Sequence, residues 1–131
     1  MVNNVTKELQ VLTEYKNTFF VDILSAYQNK TSLFLITKFI SSDNLKVILQ
    51  KKIFSESESK FIICNLICCL NYLHEKKFLI MKINPENILI NDDGYIKVTN
   101  FNACINMNEL NVETFNLNFV TNYTAPEIFY R

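Results

Sequence analysis

At 131 residues, 49% of them apolar and 20% charged, the chain has the make-up of one globular domain and no more. Its 13 basic residues match its 13 acidic ones, so no surplus of Lys and Arg draws it to nucleic acid or an anionic membrane; neither partner is expected. The opening Met1-Val2-Asn3-Asn4-Val5-Thr6-Lys7-Glu8 lacks the basic-then-apolar order of a secretory signal, and the longest apolar run is too short and interrupted to span a bilayer.

Val5, Leu9 and Leu12 fall at helical spacing and predict a helix over 5–15, with Glu8 on a neighbouring face. Two runs rich in aromatic and β-branched residues, 19–27 and 32–39, are separated by the polar Gln28-Asn29-Lys30-Thr31 and predict paired strands. Ser42 or Asp43 can cap a short helix through Lys51, and Ser55 a longer one over 56–74. Along the longer one, Phe61, Ile62, Ile63, Leu66, Ile67, Leu70 and Leu73 cover more than one narrow stripe, which predicts burial on most sides. Of the four cysteines, Cys64, Cys68 and Cys69 lie in this run. No second Cys/His pair supplies further ligands, so buried, reduced thiols of a cytoplasmic protein are expected rather than a metal site.

Beyond that helix stands Met81-Lys82-Ile83-Asn84-Pro85-Glu86-Asn87. It leads into Ile88-Leu89-Ile90, the turn Asn91-Asp92-Asp93-Gly94, and the run from Tyr95 to Asn102. Two short apolar strands flank the chain's one glycine, which predicts a β-hairpin with a loop at each end. Ala125-Pro126-Glu127 follows near the end of the chain. On these patterns alone Glu8 is a solvated helix glutamate, and the earlier strands are core and linker.

Pro85-Glu86-Asn87, Asn100-Phe101 and Ala125-Pro126-Glu127 occur in the order and spacing of the protein kinase superfamily. The pattern there is H/Y-R-D-L-K-P-E-N, a strand, a turn, a strand, D-F-G and, further on, A-P-E. The chain resembles that family over nearly its whole length and is nearest to the cyclic-nucleotide-dependent (AGC) group of serine/threonine kinases. The resemblance implies an α+β, partial protein-kinase-like fold, with residues 1–39 as a remnant of the small lobe and 40–131 as the first part of the large lobe. It aligns 5–15 with the kinase C-helix and the two strand runs with the pair that leads into the hinge. The next two helices match the D- and E-helices, the latter ending in Tyr72-Leu73-His74. The glycine-rich loop and the lysine-bearing strand are expected before Met1, and the helices that cover the E-helix after Arg131.

The resemblance also assigns roles. Glu8 sits where a glutamate pairs with the strand lysine, Thr37 is the gatekeeper, and the backbone of Lys38, Phe39 and Ile40 faces the adenine edge. Leu45 and Leu89 suit the floor and wall of the adenine pocket. Leu12, Ile23, Ile80 and Phe101 stack through the core. Against these retained positions, Lys82 stands at the catalytic aspartate, Asn84 at the catalytic-loop lysine, Met81 at the arginine that binds a phosphorylated loop, and Asn102 at the D-F-G glycine. Thr114, Thr121 and Thr124 are candidates for modification in the segment between. Asn87 remains as a metal ligand, but Asn100 replaces the D-F-G aspartate and offers a neutral carbonyl where a hard cation wants a charged oxygen.

Phosphoryl transfer needs carboxylates for magnesium, a lysine for phosphate and an acceptor for the hydroxyl proton. Losing the acceptor alone costs ~10²–10⁴-fold in rate. With Lys82 near the metal position an attraction becomes a repulsion, and a unit pair at ~4 Å is worth roughly 4 kcal/mol at an effective dielectric near 20. Magnesium is expected to bind poorly, and ATP weakly, through the hinge backbone and Leu89 with Lys82 on phosphate. The expected function is that of an inactive, pseudokinase-like fragment with a binding or regulatory role. A protein partner, or the remainder of a kinase domain, is expected to cover it. The alternatives are a divergent ATP-dependent serine/threonine kinase and a non-functional gene fragment.

Overall fold

Ser55 starts the longest element. Its Oγ accepts the Glu58 N–H (3.3 Å) while the Glu58 carboxylate accepts the Ser55 N–H (2.8 Å), a reciprocal cap that opens helix α3, Glu56–Glu75. The Lys52 ammonium, and after it the Ser55 bonds, hold the Glu58 pKa down at about 2. The computed structural model describes residues 2–109 and 121–128. Before α3 come helix α1 (Val2–Glu14), strands β1 (Ile23–Gln28) and β2 (Leu33–Thr37), and helix α2 (Leu45–Lys51); after it come β3 (Phe78–Ile80), β4 (Ile88–Ile90), β5 (Ile96–Val98) and β6 (Cys104–Asn106). The strands pair in antiparallel twos, β1 with β2, β4 with β5 and β3 with β6, so the fold is α+β, consistent with part of a kinase-like domain.

Both expected hairpins form. Asn29 shapes the first turn, its Oδ1 accepting the N–H groups of Thr31 (2.9 Å) and Ser32 (2.7 Å). In the second, Ile88 faces Val98 and Ile90 faces Ile96, and Gly94 takes the positive φ (+84°) that closes the turn. The cap of α2 differs from expectation. Asn44, not Ser42 or Asp43, accepts the Val47 N–H at 3.1 Å, because it stands three residues ahead of that orphan donor, while the Asp43 carboxylate pairs with Lys51. The pair β3–β6 was not foreseen: three-residue strands carry no alternation to read.

The core lies where α1, α3 and the β4–β5 hairpin meet. Val11, Cys69, Leu73, Ile96 and Phe101 are fully buried there, and Phe20 sets its ring edge-on to Phe101 (4.9 Å) and to Tyr72 (5.9 Å). The segment after α1 is sewn to the hairpin by backbone: the Val98 N–H donates to the Phe19 carbonyl (2.7 Å) and the Lys97 ammonium to that of Phe20 (3.0 Å). Of the expected stack, Leu12 and Phe101 are buried, and Ile23 and Ile80 pack half-buried against them.

Two expectations for α3 are corrected. Only the stripe Ile62, Asn65, Cys69 and Leu73 is buried, while Ile63 and Ile67 are each more than half exposed, since β3 and β5 pack on one side of the helix only. The thiols divide with that geometry. Cys64 and Cys68 are exposed, whereas Cys69 and Cys104 are buried, and burial followed by the neighbouring Cys68 pushes the Cys69 pKa up to about 12. Among the described residues no helix is long and apolar enough to cross a membrane.

Candidate functional site

The loop between β3 and β4 is built by a proline and two buried asparagines. Asn84 is extended (φ −148°, ψ 159°), as a residue before proline prefers, and Pro85 opens a single 3-10 turn, Pro85–Asn87. Asn84 caps that turn with its own Oδ1, which accepts the Asn87 N–H at 3.1 Å, and it is only 6% exposed. A side chain so placed serves the turn's backbone, not a phosphate. Asn87, 9% exposed, accepts at its carbonyl from the Thr99 N–H (2.8 Å) and hydroxyl (3.2 Å), which pins the far end of the hairpin to the loop.

Thr99 leads into Asn100, whose backbone is left-handed (φ 63°, ψ 69°), a region asparagine tolerates better than most residues. That turn swings Phe101 into the core and points the Asn100 side chain at the loop: its Nδ2 donates to Asn87 Oδ1 at 3.3 Å. Asn87 Nδ2 in turn donates to the Lys82 carbonyl at 3.4 Å. A main-chain carbonyl only accepts, so it fixes which end of the Asn87 amide faces it and turns the oxygen toward Asn100. From the other side Glu8 reaches in from α1 and accepts the Phe101 N–H at 3.0 Å, across 93 residues of sequence. Burial raises the Glu8 pKa, and the Phe101 N–H works against that rise. The glutamate is therefore a positioned acceptor and not a solvated helix side chain.

Lys82, Lys46 and Glu86 carry charge at the loop. Lys82 is half-buried and forms no ion pair with a described residue. Glu86 pairs with Lys46 from α2, which lowers the glutamate's pKa and raises the lysine's, and the Lys82 charge adds to the effect on Glu86. Lys46 was not singled out from the sequence; it stands 40 residues from Glu86, beyond any local pattern. For magnesium the donor set does not fit. The two side chains expected as its ligands, Asn87 and Asn100, are neutral amides bonded to each other, with an ammonium-bearing residue in the same loop. Among the described residues no group of three or more His, Cys, Asp or Glu could hold a metal.

On the hinge side Thr37, Lys38 and Phe39 are exposed and Ile40 is half-buried. The Lys38 N–H is taken by the Asp22 carbonyl (2.7 Å) and the Ile40 carbonyl by the Ser42 N–H (2.9 Å). Among the described residues the Ile40 N–H and the Lys38 carbonyl have no such partner. Leu89 bridges to Asn44 and is half-buried, and Leu45, next to Asn44 in the chain, is buried. In the later segment the Thr124 hydroxyl accepts the Thr121 N–H at 2.7 Å; Thr114 lies outside the described residues, and so does the Asn102 side chain.

The protein kinase domain family matches this chain over residues 1–131. The chain belongs to the protein kinase superfamily. It is 35% identical to the serine/threonine-protein kinase sgk-1 of Caenorhabditis elegans over 97% of its own length and 28% of that protein's. The ribosomal protein S6 kinase beta of the same organism is 31% identical over 95% of the chain and 23% of that protein. The catalytic subunit of the cAMP-dependent protein kinase of Dictyostelium discoideum is 29% identical over 97% of the chain and 19% of that protein. The likeness is thus to serine/threonine kinases of AGC type, and the chain spans less than a third of the length of each of these relatives.

Proposed function

We propose that this stretch of kinase domain does not transfer phosphate and works as a binding or regulatory module, a pseudokinase. One observation carries the reading. The positions that hold magnesium and take up the hydroxyl proton bear Asn100 and Lys82, and the Asn100 amide is already bonded to Asn87. Neither of these two side chains is a carboxylate able to hold the cation on which phosphoryl transfer depends. The test is a γ-phosphoryl transfer assay on the full-length protein containing this chain, with magnesium or manganese and a mixed peptide acceptor. No transfer above background is expected. Transfer that EDTA abolishes would overturn the reading.

A nucleotide site belongs to the same reading. The Ile40 N–H, the Lys38 carbonyl and the apolar Leu45 and Leu89 support weak ATP binding, with Lys82 on phosphate in place of a cation. Calorimetry should give weak heats of the same size with and without magnesium, and no heat in either condition sinks the idea. A covering surface is proposed as well. Leu24, Phe34, Ile36 and Phe39 on and beside the β1–β2 hairpin are 40–86% exposed, apolar area that suits a protein partner or the rest of a kinase-like domain. The exposed thiols of Cys64 and Cys68 go with a reducing, cytoplasmic setting.

A further inference from the structure

The loop between β5 and β6 is held by side-chain hydrogen bonds from two other segments. We infer that Asn100 and Asn87 form an amide clasp that, together with Glu8, fixes the loop between β5 and β6 against α1 and the β3–β4 loop in the absence of any metal or nucleotide. The inference rests on the inactive reading above and deepens it, by assigning the two asparagines a positioning role in place of a metal-binding one.

The clasp is continuous. Lys82 C=O accepts from Asn87 Nδ2, Asn87 Oδ1 accepts from Asn100 Nδ2, and the next N–H, that of Phe101, goes to the Glu8 carboxylate on α1. Asn84 and Thr99 fix the Asn87 main chain from both sides, and the fully buried Phe101 ring against Phe20 fixes the far end of the turn. Each bond joins one donor to one acceptor with the Asn87 amide in a single orientation, an orientation that the amide donor of Asn100 matches and that an ionised aspartate there, which only accepts, would not. With aspartate at 100, two oxygens would face each other across the 3.3 Å now spanned by Nδ2 and Oδ1. A cation, or a turned Asn87 amide that forfeits its bond to the Lys82 carbonyl, would then be needed between them. The left-handed backbone at Asn100 is likewise suited to asparagine, so this one residue serves both the turn and the clasp.

Amide hydrogen exchange on the full chain, read at Thr99 to Ala103 with α3 as internal control, tests it. In the native protein the protection of the Phe101 amide should be the same in EDTA, in magnesium, and in magnesium with ATP. Asn100→Ala should raise exchange in this loop roughly threefold to tenfold, the loss of about one net hydrogen bond, and leave α3 unchanged. Asn100→Asp should loosen the loop in EDTA and regain protection in magnesium, a cation response that a merely space-filling residue would not produce. Native protection that rises on adding magnesium overturns the inference, as does an Asn100→Ala loop that exchanges at the native rate. Phosphoryl transfer by the native chain would refute inactivity without touching these exchange rates, so the two failures are distinguishable.

Discussion

The β4–β5 hairpin with its flanking loops has strands of three residues each and the β1–β2 hairpin strands of six and five, and the two solve opposite problems. The first turns Ile88, Ile96, Val98 and Phe101 inward, and its polar side chains Asn84, Asn87 and Asn100 bond to each other or to backbone. The second leaves Leu24 and Phe39 largely in solvent and Phe34 40% exposed, stacked on the ring of Tyr27 at 5.0 Å. In the first region the asparagines satisfy one another and the neighbouring backbone, so the scaffold is closed on itself. The second is closed only if something else covers it. Buried polar side chains do not have to weaken a fold when they satisfy one another.

The difference can be broken most forcefully at Phe101. Phe101→Ala empties the junction of α1, α3 and the hairpin, and urea unfolding should show a loss of about 3–5 kcal/mol. Asn84→Ala removes the cap of the 3-10 turn and leaves the Asn87 N–H with the Asn84 carbonyl alone; about 1 kcal/mol should be lost in the same measurement. On the open hairpin, Phe39→Ala should stay within about 0.5 kcal/mol, because the ring is 86% exposed and has little burial to lose. A large effect there would mean that the ring is covered in solution.

Acidity separates two glutamates by sign. The Glu58 carboxyl titrates at about 2 in the folded chain, below its ordinary 4.5, so its contribution to stability is present above pH 4.5 and is lost as pH falls from there toward 2. Glu8 titrates above 4.5 in the folded chain because of burial, so its contribution is greatest below pH 4.5 and falls as pH rises through that raised value. Urea unfolding across pH 2–8 should show Glu58→Gln flattening the acid limb and Glu8→Gln, which keeps an acceptor for the Phe101 N–H, removing the decline at higher pH. If Glu8→Gln instead lowers stability at neutral pH, the charge on the glutamate has a cationic partner and burial is not what governs that carboxyl.

Sequence by itself determined α1, α2 and α3 in order, both hairpins, Ser55 as the cap of α3, and the presence of Lys82 and Asn100 in the spaced motif. Each of these is local: a period, a cap within four residues, a turn around one glycine, or the identity of a side chain in a spaced motif. It misjudged the covering of α3 and the burial of Cys64 and Cys68, since an apolar face in a helix says that it wants a partner and not where that partner stands. Tertiary structure alone decided the Glu8 bond to Phe101, the Lys46 pair with Glu86 and the Asn87–Asn100 clasp, across 93, 40 and 13 residues. Hydrogen bonds and ion pairs of that reach depend on distances of a few ångströms set by how Phe20, Leu73 and Phe101 pack, and the order of residues along a chain does not encode such distances one pair at a time.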